Sequence, residues 1–114
     1  MKKTAESFLP LTETTYLILT SLWNPLHGYG IMQNVEKMTN SRIVLAPGTL
    51  YGALSKLTKD NLIEAMDNTL GADRKKNYVL TELGREVVKL EFKRLETLVI
   101  ESKKMLRSVN FEDN

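Results

Sequence analysis

One side of a predicted helix between residues 47 and 59 carries the side chains best suited to chemistry. Pro47 favours the first helical turn, because its φ angle is already set and its missing N–H needs no partner there. On a helical wheel, the apolar residues share one side and the small, polar or positive residues share the other. The apolar side consists of Leu50, Ala53, Leu54 and Leu57. The polar side consists of Gly48, Gly52, Ser55 and Lys59, flanked by Tyr51 and Lys56.

The polar side is suited to the phosphate backbone of a nucleic acid. The N–H groups of Gly48 and Thr49 can bind an anionic oxygen at the helix start, while Tyr51 and the lysines add a hydroxyl and two charges. Each helical glycine costs up to about 1 kcal/mol relative to alanine, and close approach of a phosphate backbone would account for that cost. Two alternatives stay open: Tyr51 packs on the core or the hairpin, and Gly52 allows a close helix crossing.

A basic hairpin tip is the second candidate contact. Strands are predicted at 62–67 and 75–80, joined by a glycine-containing connection. The basic residues at the tip are Arg74, Lys75 and Lys76. Beside the polar helix face they favour contact with the flanking groove or backbone, although a solvated turn also explains them. Tyr78 alternates with Leu80 and is predicted to be a core residue that offers its hydroxyl to a partner.

Two earlier helices are predicted to position these groups. The first spans 12–23, with Thr12 as its N-cap, and Pro25 follows its end. The second spans about 29–38, and a short β-prone run follows at 43–45. Helix, helix, helix, hairpin and long helix is the order of a winged helix-turn-helix, so we expect a mainly α fold with a small β-hairpin.

The last predicted helix begins after Thr81 and has no internal break before Asn110, a length of about 40 Å. Its heptad seam consists of Val88, Phe92, Leu95, Val99, Ser102, Leu106 and Val109. So apolar a stripe is unusual on a monomer, which predicts dimerisation through residues 83–109 with help from the first helix. We expect residues 1–81 to form a DNA-binding region and 82–114 the dimerisation helix of one compact domain.

Composition excludes several classes of protein. A chain of 114 residues without cysteine has no disulfide and no thiolate metal site. No apolar run is long enough to cross a membrane, so a cytoplasmic location is expected. No nucleophile–base set, paired-carboxylate motif or phosphate loop indicates an enzyme, and no cofactor is expected. His27 is the only histidine and is interpreted as a residue at a helix start, without a metal site.

Residues 11–90 resemble the PadR-type transcriptional regulators, in particular the short-tailed members with a single C-terminal helix. The matching stretches are 17–19 (LIL), 27–31 (HGYGI), 47–54 (PGTLYGAL), Leu57 with 62–63, and 74–84 (RKKNYVLTELG). The resemblance implies a homodimeric winged-helix repressor whose reader helix contains Thr49, Leu50 and Tyr51 and whose wing carries the basic cluster. Its partners would be a second copy of the chain and double-stranded DNA with a pseudo-palindromic operator.

The resemblance also raises the question of an effector. In some short-tailed members a flat aromatic compound lies between tryptophans of the last helix at the dimer centre. Here the only tryptophan is Trp23, in the first helix, and the last helix offers Phe92. These two residues are the candidates for a pocket that takes a small apolar or aromatic effector, with a core role as the alternative. The rival function is a winged-helix adaptor that binds proteins rather than DNA.

Overall fold

The computed structural model of the protein describes residues 3–66 and 76–109. A single 3-10 turn, Ala5–Phe8, comes first. The elements that follow are α1 (Glu13–Ser21), β1 (Leu26–His27), α2 (Gly28–Met38), α3 (Pro47–Lys59), β2 (Ile63–Met66), β3 (Asn77–Leu80) and α4 (Glu82–Ser108). The predicted mainly helical fold, with a small β element and a long C-terminal helix, is confirmed.

Side-chain caps set the starts of three helices. The Thr12 hydroxyl accepts a hydrogen bond from the backbone N–H of Thr15 at 3.1 Å, which confirms it as the N-cap of α1. Nδ1 of His27 accepts from the N–H of Gly30 at 2.8 Å and caps α2. Thr81 caps α4 in the same manner. These caps satisfy N–H groups that have no partner within the helix.

The described strands form one antiparallel sheet in the order β1-β3-β2. β2 and β3 pair from Ile63 opposite Leu80 to Met66 opposite Asn77, as a hairpin requires. β1 pairs with the other edge of β3 and was not predicted. The predicted β-prone run at 43–45 is not a strand, because the N–H of Ile43 donates to the hydroxyl of Thr39 instead of to a neighbouring strand.

The core lies where all the helices meet the sheet. Its fully buried members are Ile18, Leu19, Leu22, Ile31, Val35, Leu50, Leu54, Leu62, Ile63 and Val87. Gly84 in the first turn of α4 lies so close to Leu62 that a β-carbon there would overlap the carbonyl oxygen of Leu62. This approach fixes α4 against the hairpin. In the described parts of the chain, none of the helices combines the length and apolar character needed to span a bilayer.

Candidate nucleic-acid interface

α3 presents its predicted polar side to solvent. Leu50, Leu54 and Leu57 are buried in the core, which fixes the rotation of the helix about its axis. The opposite residues are exposed: Gly48, Thr49, Tyr51, Gly52, Ser55, Lys56 and Lys59. We call this surface the reader face. All the contact residues that the sequence predicted on this helix therefore lie on one solvent-facing surface.

The start of α3 has no side-chain cap. Its N-cap residue is Ala46, whose methyl group cannot accept a hydrogen bond, and Pro47 follows at the first position. The backbone turn is closed by the N–H of Leu50, which donates to the carbonyl of Ala46 at 3.0 Å. The N–H groups of Gly48 and Thr49 therefore point out of a helix end without a capping side chain, in a geometry that suits an anion.

The two glycines of the reader face have open space in front of them. A β-carbon at Gly48 or Gly52 would meet no described atom within 4 Å. The alternative that Gly52 serves a close helix crossing within the chain is therefore wrong. These glycines contrast with Gly84, which is packed against backbone. Because no side chain projects at these two positions, an external backbone can approach the helix closely.

The positive charges of the site differ in their surroundings. Nζ of Lys56 lies 3.2 Å from Oδ2 of Asp60, so part of its charge is balanced. Lys59 has no ion-pair partner among the residues that the structure describes. Lys76 is exposed just before β3, whereas Arg74 and Lys75 lie outside the described residues. Among the described cations of the site, Lys59 and Lys76 are thus the most available to a polyanion.

Tyr51 connects the reader face to α2. Its side chain is 47% exposed, yet its ring lies against Gly28 at the first position of α2. It lines a small cleft together with Tyr29 and Tyr78. Tyr78 is half-buried and packs on the core, as predicted. Tyr51 therefore packs within the fold and is also accessible, and its contact with DNA stays a prediction.

α4 leaves an apolar surface exposed over its second half. Phe92 is 56% exposed, Val99 54% and Ile100 52%. Together with Tyr16 of α1 they line an open cleft of about 570 Å³. We call the following set the α4 apolar face: Phe92, Leu95, Val99, Ile100, Ser102 and Leu106. Val88, which was predicted to begin the seam, is only 7% exposed and belongs to the core of the chain itself.

Trp23 and Phe92 do not share a pocket in the described residues. The guanidinium of Arg85 lies 4.5 Å from the centre of the Trp23 ring and also donates to the Trp23 carbonyl at 3.0 Å. Trp23 is absent from the cleft that Phe92 lines. The predicted two-residue effector pocket is therefore not formed within one chain, because Arg85 covers the ring of Trp23.

Glu91 is a buried charged residue that the sequence analysis did not single out. Arg94, three residues later, pairs with it, and this spacing on a helix was the signal that could have identified the pair. Burial raises the pKa of the nearby Tyr16 hydroxyl, and the negative charge of Glu91 adds to this effect. Glu91 thus lies at the border between the core and the α4 apolar face.

The fold and its exposed surfaces match a known family. The model of the transcriptional regulator PadR-like family matches residues 17–90. This chain belongs to that family. The resemblance inferred from the sequence is confirmed, and the PadR-like chain is a transcriptional regulator rather than an enzyme.

Solved structures extend the match beyond the family model. A PadR-family transcription regulator from Clostridium difficile is 25% identical, with a TM-score of 0.68 over 86% of this chain and 98% of that chain. PadR of Bacillus subtilis, solved in complex with operator DNA, is 27% identical, with a TM-score of 0.61 over 70% of this chain and 45% of that one. A transcriptional regulator from Clostridium thermocellum, 23% identical over 87% of this chain and 93% of that chain, has the same fold, with a TM-score of 0.68.

A curated relative shares part of the PadR-like sequence. It is an uncharacterized 37.1 kDa protein in a transposon of Streptomyces fradiae, 37% identical over 76 residues. The match covers 66% of this chain but only 21% of that protein. The chain therefore spans about a fifth of the length of this relative.

Proposed function

We propose that this PadR-like chain is a sequence-specific DNA-binding regulator, a repressor, that acts as a homodimer on a pseudo-palindromic operator. The reader face is the observation that carries the proposal. It combines an uncapped helix start, two unobstructed glycines and exposed lysines on one side of α3. The likeness to PadR of Bacillus subtilis, which was solved with operator DNA, supports the proposal.

The reader face has separate groups for positioning and for reading. The N–H groups of Gly48 and Thr49, and the ammonium groups of Lys56 and Lys59, bind backbone phosphates and set the orientation on the duplex. Ser55 points to base edges in the major groove, where its hydroxyl can donate or accept. Gly52 lets the helix lie deep in the groove.

The hairpin extends the contact to the neighbouring part of the duplex. Lys76 is exposed at the base of β3, and Arg74 and Lys75 precede it in the chain. These charges bind the flanking backbone without reading sequence, so they add affinity that falls with salt concentration. In this arrangement residues 1–81 bind DNA and residues 82–114 hold the dimer together.

The dimer forms through the α4 apolar face. Covering exposed side chains such as Phe92, Val99 and Leu106 with a second copy removes apolar surface from water, at about 25 cal/mol per Å². Leu95 and Ser102 are half-buried and complete the seam. Two reader helices held about 34 Å apart would meet successive major grooves, which accounts for a pseudo-palindromic site.

An apolar effector fits the same face. The cleft beside Phe92 has room for a small aromatic compound, and a second copy would close its open side. A compound bound there would change the spacing of the two reader helices and release the operator. Trp23 does not line this cleft.

The test is fluorescence anisotropy with duplexes tiled across the DNA flanking the gene, with excess nonspecific competitor and a series of salt concentrations. Saturable binding to one fragment is expected, with affinity that falls steeply as salt rises because several phosphates are neutralised. The matched variants are Lys59→Gln on the reader face and Lys93→Gln on α4, of which only the first should weaken binding. Weak binding to all fragments, unaffected by Lys59→Gln, would contradict the proposal and favour the adaptor.

A further inference from the structure

A narrow cleft lies between the starts of α2 and α3 and the base of β3. Its volume is about 150 Å³, and its walls are His27, Gly28, Tyr29, Tyr51, Lys76 and Tyr78. Three of the four tyrosines in the chain meet there. Since Tyr51 also belongs to the reader face, the cleft adjoins the surface that is proposed to meet DNA.

We infer that this cleft binds one phosphate of the DNA backbone, with the hydroxyls of Tyr29, Tyr51 and Tyr78 and the ammonium of Lys76 as donors. The inference rests on the proposed function and adds contacts from α2 and β3 to those of the reader face. A phosphodiester has one negative charge shared by two non-bridging oxygens, which accept several hydrogen bonds at once. The aromatic rings provide apolar walls for the adjoining sugar.

The chemistry of the lining selects an anion. No carboxylate is among the described residues that line the cleft, while one ammonium group is. Nδ1 of His27 accepts from the N–H of Gly30, so the hydrogen of the neutral ring resides on Nε2 and makes that atom a donor. The lining thus offers donors and a positive charge to a group that can only accept.

The donors are available. Among residues 3–66 and 76–109, no side-chain hydrogen bond engages the hydroxyl of Tyr29, Tyr51 or Tyr78. Tyr29 is 58% exposed, so its ring and hydroxyl are accessible to an external group. An exposed ring with a hydroxyl beside a cleft is well placed to bind an external group.

Gly28 allows the cleft to form. A β-carbon at this position would lie 2.7 Å from Cζ and 2.9 Å from Cε1 of Tyr51, closer than real β-carbons approach. The absence of a side chain therefore lets the hydroxyl end of the Tyr51 ring lie against the first turn of α2, beside the cleft that Tyr29 and Tyr78 also line. A single bound phosphate would then join α2, α3 and β3.

The first experiment removes one hydroxyl at a time and keeps each ring. Tyr29→Phe, Tyr51→Phe and Tyr78→Phe should each weaken binding of the operator fragment by about ten- to a hundredfold, the usual effect of one hydrogen bond to a charged group. The control is Ser108→Ala, which removes an exposed hydroxyl from the last turn of α4, outside the α4 apolar face, and should bind as the wild type does. Thermal melting of each variant shows that the fold is kept.

The second experiment identifies the phosphate. Each phosphate of the operator fragment is replaced in turn by an uncharged methylphosphonate, and binding is measured for the wild type and for Tyr29→Phe. At one position the neutral linkage should weaken the wild type strongly but the variant much less, because both changes remove the same contact. Lys76→Gln should lose sensitivity at the same position and lower the salt slope by about one.

The outcomes separate this inference from the proposed function. If the wild type binds its operator and all three phenylalanine variants bind with the same affinity, the proposed function stands but phosphate binding in the cleft is wrong. Weaker variants that keep full sensitivity at every methylphosphonate position overturn it too, because their hydroxyls then act through the fold. A wild-type protein that binds no duplex overturns both.

Discussion

The guanidinium of Arg94 donates two hydrogen bonds to the carboxylate of Glu91, from Nε at 2.8 Å and from Nη2 at 2.7 Å. The Glu91 side chain is 1% exposed, whereas that of Arg94 is 37% exposed. These hydrogen bonds hold the pKa of Glu91 below its ordinary value, against the opposing effect of burial. Glu91 is therefore ionised inside the protein near neutral pH and depends on Arg94 for compensation.

Replacing Arg94 by methionine should destabilise the protein. The change leaves the carboxylate of Glu91 buried without its cation, so the melting temperature at neutral pH should fall by about 5 °C or more. Arg107→Met, in the exposed last turn of α4, is the matched control and should melt close to the wild type. Equal melting of both variants would contradict a structural role for the Glu91 pair.

The same pair predicts how stability depends on pH. The folded pKa of Glu91 lies below its unfolded value of 4.5, so folding favours the ionised form. Its contribution to stability is complete above pH 4.5 and is lost as pH falls through the folded pKa. Glu91→Gln should therefore flatten the fall of the urea midpoint measured from neutral pH to about pH 3.

The control for this titration is Glu13. Its pKa is also lowered, chiefly by the hydrogen bond from Arg42, but both side chains of the pair are more than half exposed. Glu13→Gln should change the urea midpoint less than Glu91→Gln does in the same pH range, because water screens an exposed pair. If Glu13→Gln changes the dependence of the urea midpoint on pH and Glu91→Gln does not, then the buried Glu91 is not the cause of that dependence.

Gly52→Ala should stabilise the protein and weaken DNA binding. The new methyl group meets no described atom, so the helix gains about 0.5–1 kcal/mol of stability. The same methyl group projects from the centre of the reader face and keeps the DNA further from the helix. Gly84→Ala is the contrast, because its methyl group would overlap the carbonyl of Leu62 and lower stability by about 2 kcal/mol or more. Urea unfolding and anisotropy measure the two effects separately.

Asp60→Asn should strengthen DNA binding. The carboxylate of Asp60 pairs with Lys56 at the end of α3, so the change releases the lysine and removes a negative charge next to the reader face. A gain of about two- to fivefold in affinity is expected at low salt, and it should shrink as salt rises. Glu86→Gln, an exposed carboxylate on α4, serves as the control; an equal gain there would indicate net charge alone.

Val99→Glu should separate the proposed dimer into monomers. The side chain is 54% exposed in one chain, so the fold of that chain should tolerate the change, while a second copy would have to bury the new charge. Light scattering should report the monomer mass, and operator affinity should fall by about tenfold or more. Lys93→Glu on the same helix is the control, and full operator binding by a Val99→Glu monomer would refute the dimer mechanism.

Local signals explain what the sequence predicted well. Thr12 and Thr81 as caps, and Pro47 at a first turn, act within a few residues of themselves, so they mark helix starts without knowledge of the fold. The polar side of α3 follows from the same logic, since a helix with one apolar side must turn that side inwards.

Distant contacts explain what the sequence could not give. β1 has only two residues, Leu26 and His27, and its partners Tyr78 and Asn77 lie far along the chain. The heptad pattern placed Val88 on the seam because periodicity indicates an apolar face and not which partner covers it. The residues that flank Glu91 in the sequence do not distinguish it from an exposed glutamate. Its burial depends on packing between α4 and the N-terminal segment.

β3 is the central strand of the sheet. Its four residues are held on both edges, by β1 on one side and β2 on the other. β1 runs directly into α2, and β3 is separated from α4 by Thr81 alone. The strand thus connects the tyrosine-lined cleft, at its first residues, to the start of α4 at its last. We expect that a rotation of α4 in the proposed dimer would shift Tyr78, two residues from the end of β3, and with it the surface proposed to face DNA.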